Sequence, residues 1–168
     1  MRSFNTKQLV IMALMIAMNV MLARFLSIQT PTIRICFTFL PIAVVAMMYG
    51  PISAALVGAL ADLLGSLLFP VGPYFYGFTV TAFLMGATYG VFMYKRVGKM
   101  FYITISVLIV TVIWQLALDT YWLHMLWDVP YVSLLPWRIV RTVIMIPVQV
   151  ALIKAIAHVL GKNPSLKG

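Results

Sequence analysis

Residues 7–26, KQLVIMALMIAMNVMLARFL, form an apolar run that starts at Lys7 and is interrupted only by Gln8, Asn19 and Arg24. A helix of about 20 residues extends about 30 Å, which matches the hydrocarbon core of a bilayer. The basic start at Arg2 is that of a signal peptide, yet the apolar stretch continues past Leu22 without an A-x-A-type cleavage site. A retained first membrane helix is the expected outcome.

The rest of the chain repeats this pattern. Of 168 residues, 64% are hydrophobic and 9% charged, and the acidic residues are Asp62, Asp119 and Asp128 alone. A soluble domain needs far more polar surface than this, so the chain is an integral membrane protein. Apolar runs and breakers predict six spans, Lys7–Leu26, Cys36–Tyr49, Ile52–Phe69, Phe75–Tyr94, Phe101–Leu126 and Pro136–Leu160. The expected architecture is all-α and polytopic, with one transmembrane domain over residues 1–168. The second span covers only about 20 Å as a helix, so it must tilt, thin the bilayer or pack inside the bundle. Tyr49-Gly50-Pro51 is expected to be a tight turn between helices, with Pro51 suited to a first helical position. Cys36, the sole cysteine, permits no internal disulfide and no thiolate metal cluster, and is expected as a small buried or loop residue.

An even number of spans puts both termini on one side. With the N- and C-termini cytoplasmic, Arg2, Lys7, Lys95, Arg96, Lys99, Lys162 and Lys167 lie inside, and Lys154 reaches there by snorkelling. The outer loops then fall near residues 27–35, 70–74 and 127–135, and Arg24, Arg34, Arg138 and Arg141 lie in or beside them. Orientation signalling does not explain these four. The formal charge of +9 is spread over loops and helix ends rather than gathered in one patch, which speaks against nucleic acid as a partner. A guanidinium is a planar fork that grips carboxylate or phosphate with two parallel hydrogen bonds, whereas an ammonium is a point charge. Arginines alone on the outer side therefore point to an external carboxylate or phosphate ligand.

Polar residues inside a membrane are costly and mark function or pairing. Gln115, Asp119 and Trp122 share a helical face at i, i+4 and i+7, and Asp62, Ser66 and Phe69 repeat the spacing above Gly58. Arg138, Arg141, Thr142, Met145 and Gln149 form a third stripe, while Asn19 and Arg24 add polarity to the first span. Converging, these four faces enclose a polar pocket open to the outside. The structural alternatives are that Asp62 or Asp119 merely neutralises an arginine, and that Asn19 and Gln115 hydrogen-bond between helices. Trp122, Trp127, Trp137, Tyr74, Tyr76, Tyr121 and Tyr131 fit an interfacial aromatic belt, from which a flat aromatic ligand would recruit one or two for stacking. His124 and Asp128 are too few and too isolated for a metal site. Ala13 and Ala17 stand one turn apart on the first span and allow close approach of another helix, and small residues accumulate on the second and third spans as well.

The sequence contains no G-x-x-x-x-G-K-[ST] phosphate loop, no H-E-x-x-H zinc motif and no G-x-S-x-G elbow. No enzyme activity and no cofactor are expected, and the chain itself does not hydrolyse ATP. It also lacks the two comparable halves of a self-sufficient secondary transporter, so transport requires partners.

The segment TPTIRICFTFLP at residues 30–41, followed by Tyr49-Gly-Pro51, Gly58-Ala-Leu-Ala-Asp62, FPVGPYFYGFT at 69–79 and Gly86-Ala-Thr-Tyr-Gly90, resembles the folate-specific substrate-binding (S) component of energy-coupling factor transporters. The resemblance covers most of the chain, and Tyr76 departs from it at a position where proline is expected. It implies six helices in a bacterial cell membrane and a pocket for folate or reduced folates, capped by the loop between the first two helices. It also implies a transmembrane coupling subunit, met through Ala13 and Ala17, and two cytoplasmic ATPases. The pterin offers neighbouring N–H donors to a carboxylate such as Asp62 or Asp119, and the glutamate tail offers two carboxylates to arginines. The candidate ligand residues are thus Asn19, Arg24, Arg34, Asp62, Tyr76, Gln115, Asp119, Trp122, Arg138 and Arg141. Alternatives are another vitamin (riboflavin, thiamine or pantothenate), a small membrane enzyme acting on lipid phosphates, which lacks an evident catalytic constellation, and an assembly subunit that binds no small ligand.

Overall fold

The computed structural model describes residues 5–25, 27–29, 34–70, 74–96, 98–127 and 131–162. Its helices are α1 (Thr6–Arg24), α2 (Phe39–Tyr49), α3 (Pro51–Leu68), α4 (Tyr76–Met93), α5 and α6 (Tyr131–Lys162), and α5 joins Met100–Leu108, a π-helical stretch Ile109–Leu118, and Asp119–Trp127. Five of them are long and apolar enough to cross a membrane, and α2 is the exception. Eleven residues of helix extend only about 16 Å, and α2 resolves its short length by packing inside the bundle: Phe39, Ile42, Ala43, Val45, Ala46 and Met47 are all buried.

Gly50 ends α2 and begins α3 in one residue. Its φ of 89° is a left-handed value that favours glycine, its N–H donates to the Ala46 carbonyl at 3.2 Å, and Pro51 opens α3 in the first turn. The expected turn is therefore present. α3 then lies against α4 with almost no side-chain layer between them. A Cβ on Gly58 would come 2.5 Å from the Ala82 carbonyl oxygen, and one on Gly86 would collide with the backbone of Ala54.

The small residues of α2 and α3 serve this internal packing. Ala43, Ala46, Ala54, Ala55 and Ala61 are buried, so they offer no external face. Ala13 and Ala17 do: both are exposed on α1, beside Val10, Leu14 and Met21, which are all more than half exposed.

Two further expectations change. Residues 27–35 are not wholly irregular, because Ile28–Gln29 (β1) and Arg34–Ile35 (β2) pair antiparallel as a short ribbon before α2. The third outer loop is shorter than residues 127–135, since Trp127 still belongs to α5 and α6 already starts at Tyr131 with Pro136 inside it. Residues 30–33, 71–73 and 128–130, the centres of the three expected outer loops, lie outside the described residues, as does Asp128.

Candidate ligand cavity

A cavity of about 300 Å³ lies between α1, α3, α4, α5 and α6, with the approach to α2 completing its wall. Seven of the ten candidate ligand residues line it: Asn19 and Arg24 from α1, Asp62 from α3, Gln115 and Asp119 from α5, Arg138 and Arg141 from α6. The four polar faces anticipated from helical spacing do converge.

Each face is held by local bonds. Asn19 is buried and its amide donates to the Thr38 carbonyl at 3.2 Å, tying α1 to the start of α2. Arg24 runs alongside Gly65, whose missing side chain leaves room for the guanidinium about one turn from Asp62. Asp62 Oδ2 accepts from Thr79 Oγ1 at 2.8 Å. Ser66, which shares its stripe, turns its hydroxyl back to the Asp62 backbone carbonyl, and Phe69 packs edge-on against Phe25 with ring centres 5.7 Å apart. Neither lines the cavity.

Arg138 is only 8% exposed, and its Nη1 donates to Thr120 Oγ1 at 2.8 Å and to the Gln115 carbonyl at 3.3 Å. Its Nε is buried and makes no hydrogen bond among the described residues, and the same is true of Asp119 Oδ1. Asp119 lies in the field of Arg138 and Arg141, with Asp62 adding a weaker like charge. A buried charge is tolerated only when opposite charge and hydrogen bonds surround it, and Arg138 and Arg141 supply opposite charge around Asp119. Asp62 accepts instead from the neutral hydroxyl of Thr79.

The remaining three candidates stand differently. Trp122 is one layer behind the wall: its indole N–H donates to Thr81 Oγ1 at 3.2 Å, and its ring packs against Phe75 at 5.4 Å. Tyr76 is 75% exposed and stacks edge-on against Tyr74 rather than reaching the cavity. Arg34 is placed by its backbone in β2, opposite Gln29, and its side chain lies outside what the structure describes.

Sequence reasoning missed Cys36, Thr38, Phe78, Thr81 and Met85, all of which line the cavity. Phe78, Thr81, Ala82 and Met85 fall at i, i+3, i+4 and i+7 of α4, a stripe visible in the sequence once that face is inspected. Phe78, not Tyr76, is the aromatic ring that α4 supplies. Cys36 and Thr38 carry no such signal, because they follow a ribbon whose pairing the sequence does not advertise.

A bundle of apolar helices around an interior cavity lined by two carboxylates and three guanidiniums has the make-up of a membrane-embedded binding site for a charged small molecule. The profile of the ECF-type riboflavin transporter S component matches residues 3–160. The chain belongs to the S components of ECF-type transporters, a multi-pass family of bacterial membranes whose members are transport subunits. Among individual proteins, the folate transporter FolT of Clostridium novyi (strain NT) is 42% identical over 145 residues, spanning 86% of this chain and 84% of its own. FolT of Leuconostoc mesenteroides subsp. mesenteroides is 28% identical over 154 residues, covering 88% of this chain and 83% of its own. A crystal structure of FolT bound with folic acid matches the fold with a TM-score of 0.88 at 36% identity, over 92% of this chain and 94% of that one.

Proposed function

We propose that this chain is the folate-binding S component of an ECF transporter, capturing folate or reduced folates from outside with both termini in the cytoplasm. The observation that carries the reading is the charge content of the cavity, in which Arg24, Arg138 and Arg141 share one space with Asp62 and Asp119. Folate needs both signs. Its glutamate tail presents two carboxylates to arginines, and its pterin presents adjacent N–H donors to a carboxylate. The tail is assigned to Arg138 and Arg141, with Arg34 of β2 as a further candidate. The pterin is assigned to Asp62, whose carboxylate is held at the cavity wall by Thr79, with Phe78 as an aromatic ring lining the same cavity.

The profile that matches is named for riboflavin, so that vitamin is the second reading. Riboflavin has no carboxylate or phosphate. The cavity holds three guanidiniums against two carboxylates, and the carboxylates of folate balance that excess of positive charge where riboflavin does not.

Delivery to the cytoplasm is assigned to a transmembrane coupling subunit, driven by two cytoplasmic ATPases. The exposed Ala13 and Ala17 of α1 are the contact proposed for the coupling subunit, since small residues let two helix backbones approach. Equilibrium binding by the purified chain in detergent tests the ligand assignment. Folate, 5-formyltetrahydrofolate and 5-methyltetrahydrofolate are expected to bind without ATP, and tighter binding of riboflavin would overturn it.

A further inference from the structure

Asp62 does not stand alone at the cavity wall. Thr79 Oγ1 donates to Asp62 Oδ2 at 2.8 Å, and Tyr74 Oη lies 2.6 Å from the same Thr79 oxygen. A hydroxyl carries one proton. Because Thr79 spends its proton on the carboxylate, the Tyr74–Thr79 bond has only one direction left, from Tyr74 O–H to Thr79 Oγ1. The result is a directed chain, Tyr74 to Thr79 to Asp62, that links the segment before α4, the first turns of α4 and the middle of α3.

We propose that Tyr74 and Thr79 are positioning residues that set the specificity of Asp62, holding its carboxylate in the plane and rotation needed to accept two adjacent N–H donors from a planar heterocycle. Three features support this. Each carboxylate oxygen has about two lone-pair sites, so Thr79 occupies one site on Oδ2 and leaves the others for a ligand. Asp62 lines the cavity. The bonds polarise in series, since each hydroxyl that donates becomes a better acceptor. Without the chain, a carboxylate on a helix rotates about two side-chain bonds, and a bidentate contact then carries the full ordering cost on binding.

This inference rests on the assignment of the pterin to Asp62, and the test separates the two. Four forms of the whole chain in detergent are compared: unchanged, Thr79→Val, Thr79→Ser and Tyr74→Phe. Each is titrated with folate and with 2-desaminofolate, which lacks one of the two adjacent donors. The unchanged protein is expected to prefer folate, by about tenfold or more, as for one charge-assisted hydrogen bond. Thr79→Val, which keeps the shape but loses the hydroxyl, is expected to weaken folate by about tenfold while leaving 2-desaminofolate nearly unchanged, so that the preference collapses. Thr79→Ser restores it, and Tyr74→Phe gives a smaller loss in the same direction.

Equal weakening of both ligands by Thr79→Val would overturn the positioning role, because a merely structural hydroxyl has no means of distinguishing them. An unchanged preference in Thr79→Val would overturn it too. Absence of any preference in the unchanged protein would instead place the pterin away from Asp62, and the proposal would fall with that assignment.

Discussion

Replacing Arg138 by Gln removes a guanidinium while keeping a shorter, neutral polar side chain. Arg138 is 8% exposed, and Nη1 is committed to Thr120 Oγ1 at 2.8 Å and to the Gln115 carbonyl at 3.3 Å. Its Nε finds no protein partner among the described residues. The side chain is thus anchored at one nitrogen with donor capacity left for a ligand carboxylate. Loss of a hydrogen bond to a charged group costs about 1.5–3 kcal/mol, which weakens folate about 10- to 150-fold. Pteroic acid, which lacks the glutamate, is expected to lose less than threefold by the same arithmetic, since about 0.6 kcal/mol or less is then at stake. Removal of the cation also changes the field around the buried Asp119, so a melting curve in the same detergent accompanies each titration. The assay is equilibrium binding of the two ligands to the same preparations. Parallel losses for folate and pteroic acid in a normally folded variant would refute the assignment of the tail to this arginine.

Asp62→Asn retains shape but replaces one acceptor by a donor, and is expected to weaken folate by about tenfold or more; Asp119→Asn is expected to lower the melting temperature more than it lowers affinity, and the reverse order in binding and thermal assays would exchange their roles. Ala17→Trp adds bulk to an exposed face of α1, so uptake by the assembled transporter is expected to fall while folate binding by the isolated chain persists; loss of both, or of neither, would remove Ala17 from the partner contact. Gly58→Val places a Cβ 2.5 Å from the Ala82 carbonyl oxygen and is expected to destabilise the fold by about 1–3 kcal/mol, read as a lower melting temperature with and without ligand. Cys36 lines the cavity, so a bulky maleimide is expected to block folate binding, and saturating folate to slow the labelling; labelling at an unchanged rate would place the thiol away from the ligand.

The helices, the Gly50-Pro51 turn and the convergence of Arg24, Asp62, Asp119, Arg138 and Arg141 were legible because each depends on local chemistry. Runs of apolar residues must span the bilayer, glycine supplies a positive φ, and charge is too costly to face lipid. The choice among apolar faces was not legible. In water the outside of a helix is polar and its buried stripe stands out, but in a bilayer both surroundings are apolar, and the alanines of α1 look like those of α2 and α3. Only packing separates the exposed Ala13 and Ala17 from the buried Ala43 and Ala54. Tyr76 is expected at the site as an aromatic residue near the outer interface, whereas the start of α4 leaves Tyr76 exposed and Phe78 lines the cavity. The π-helical winding of Ile109–Leu118 also escaped, since α-helical spacing was assumed for Gln115, Asp119 and Trp122. Gln115 and Asp119 reach the cavity, and Trp122 ends one layer behind it.

Backbone contact between α3 and α4 has a further consequence for how the site accommodates its guest. Where Gly58 and Gly86 bring main chain against main chain, there are no side chains to change rotamer and let one helix slide past the other. Asp62, Thr79 and Phe78 therefore stand on a single plate whose internal distances are fixed by covalent geometry and contact radii. The three arginines stand on α1 and α6, which do not share that seam. Under the proposed assignment, a rigid, flat ring would meet the fixed plate like a key against a stop, while differences in the length or charge of the tail would be taken up by the long arginine side chains of α1 and α6.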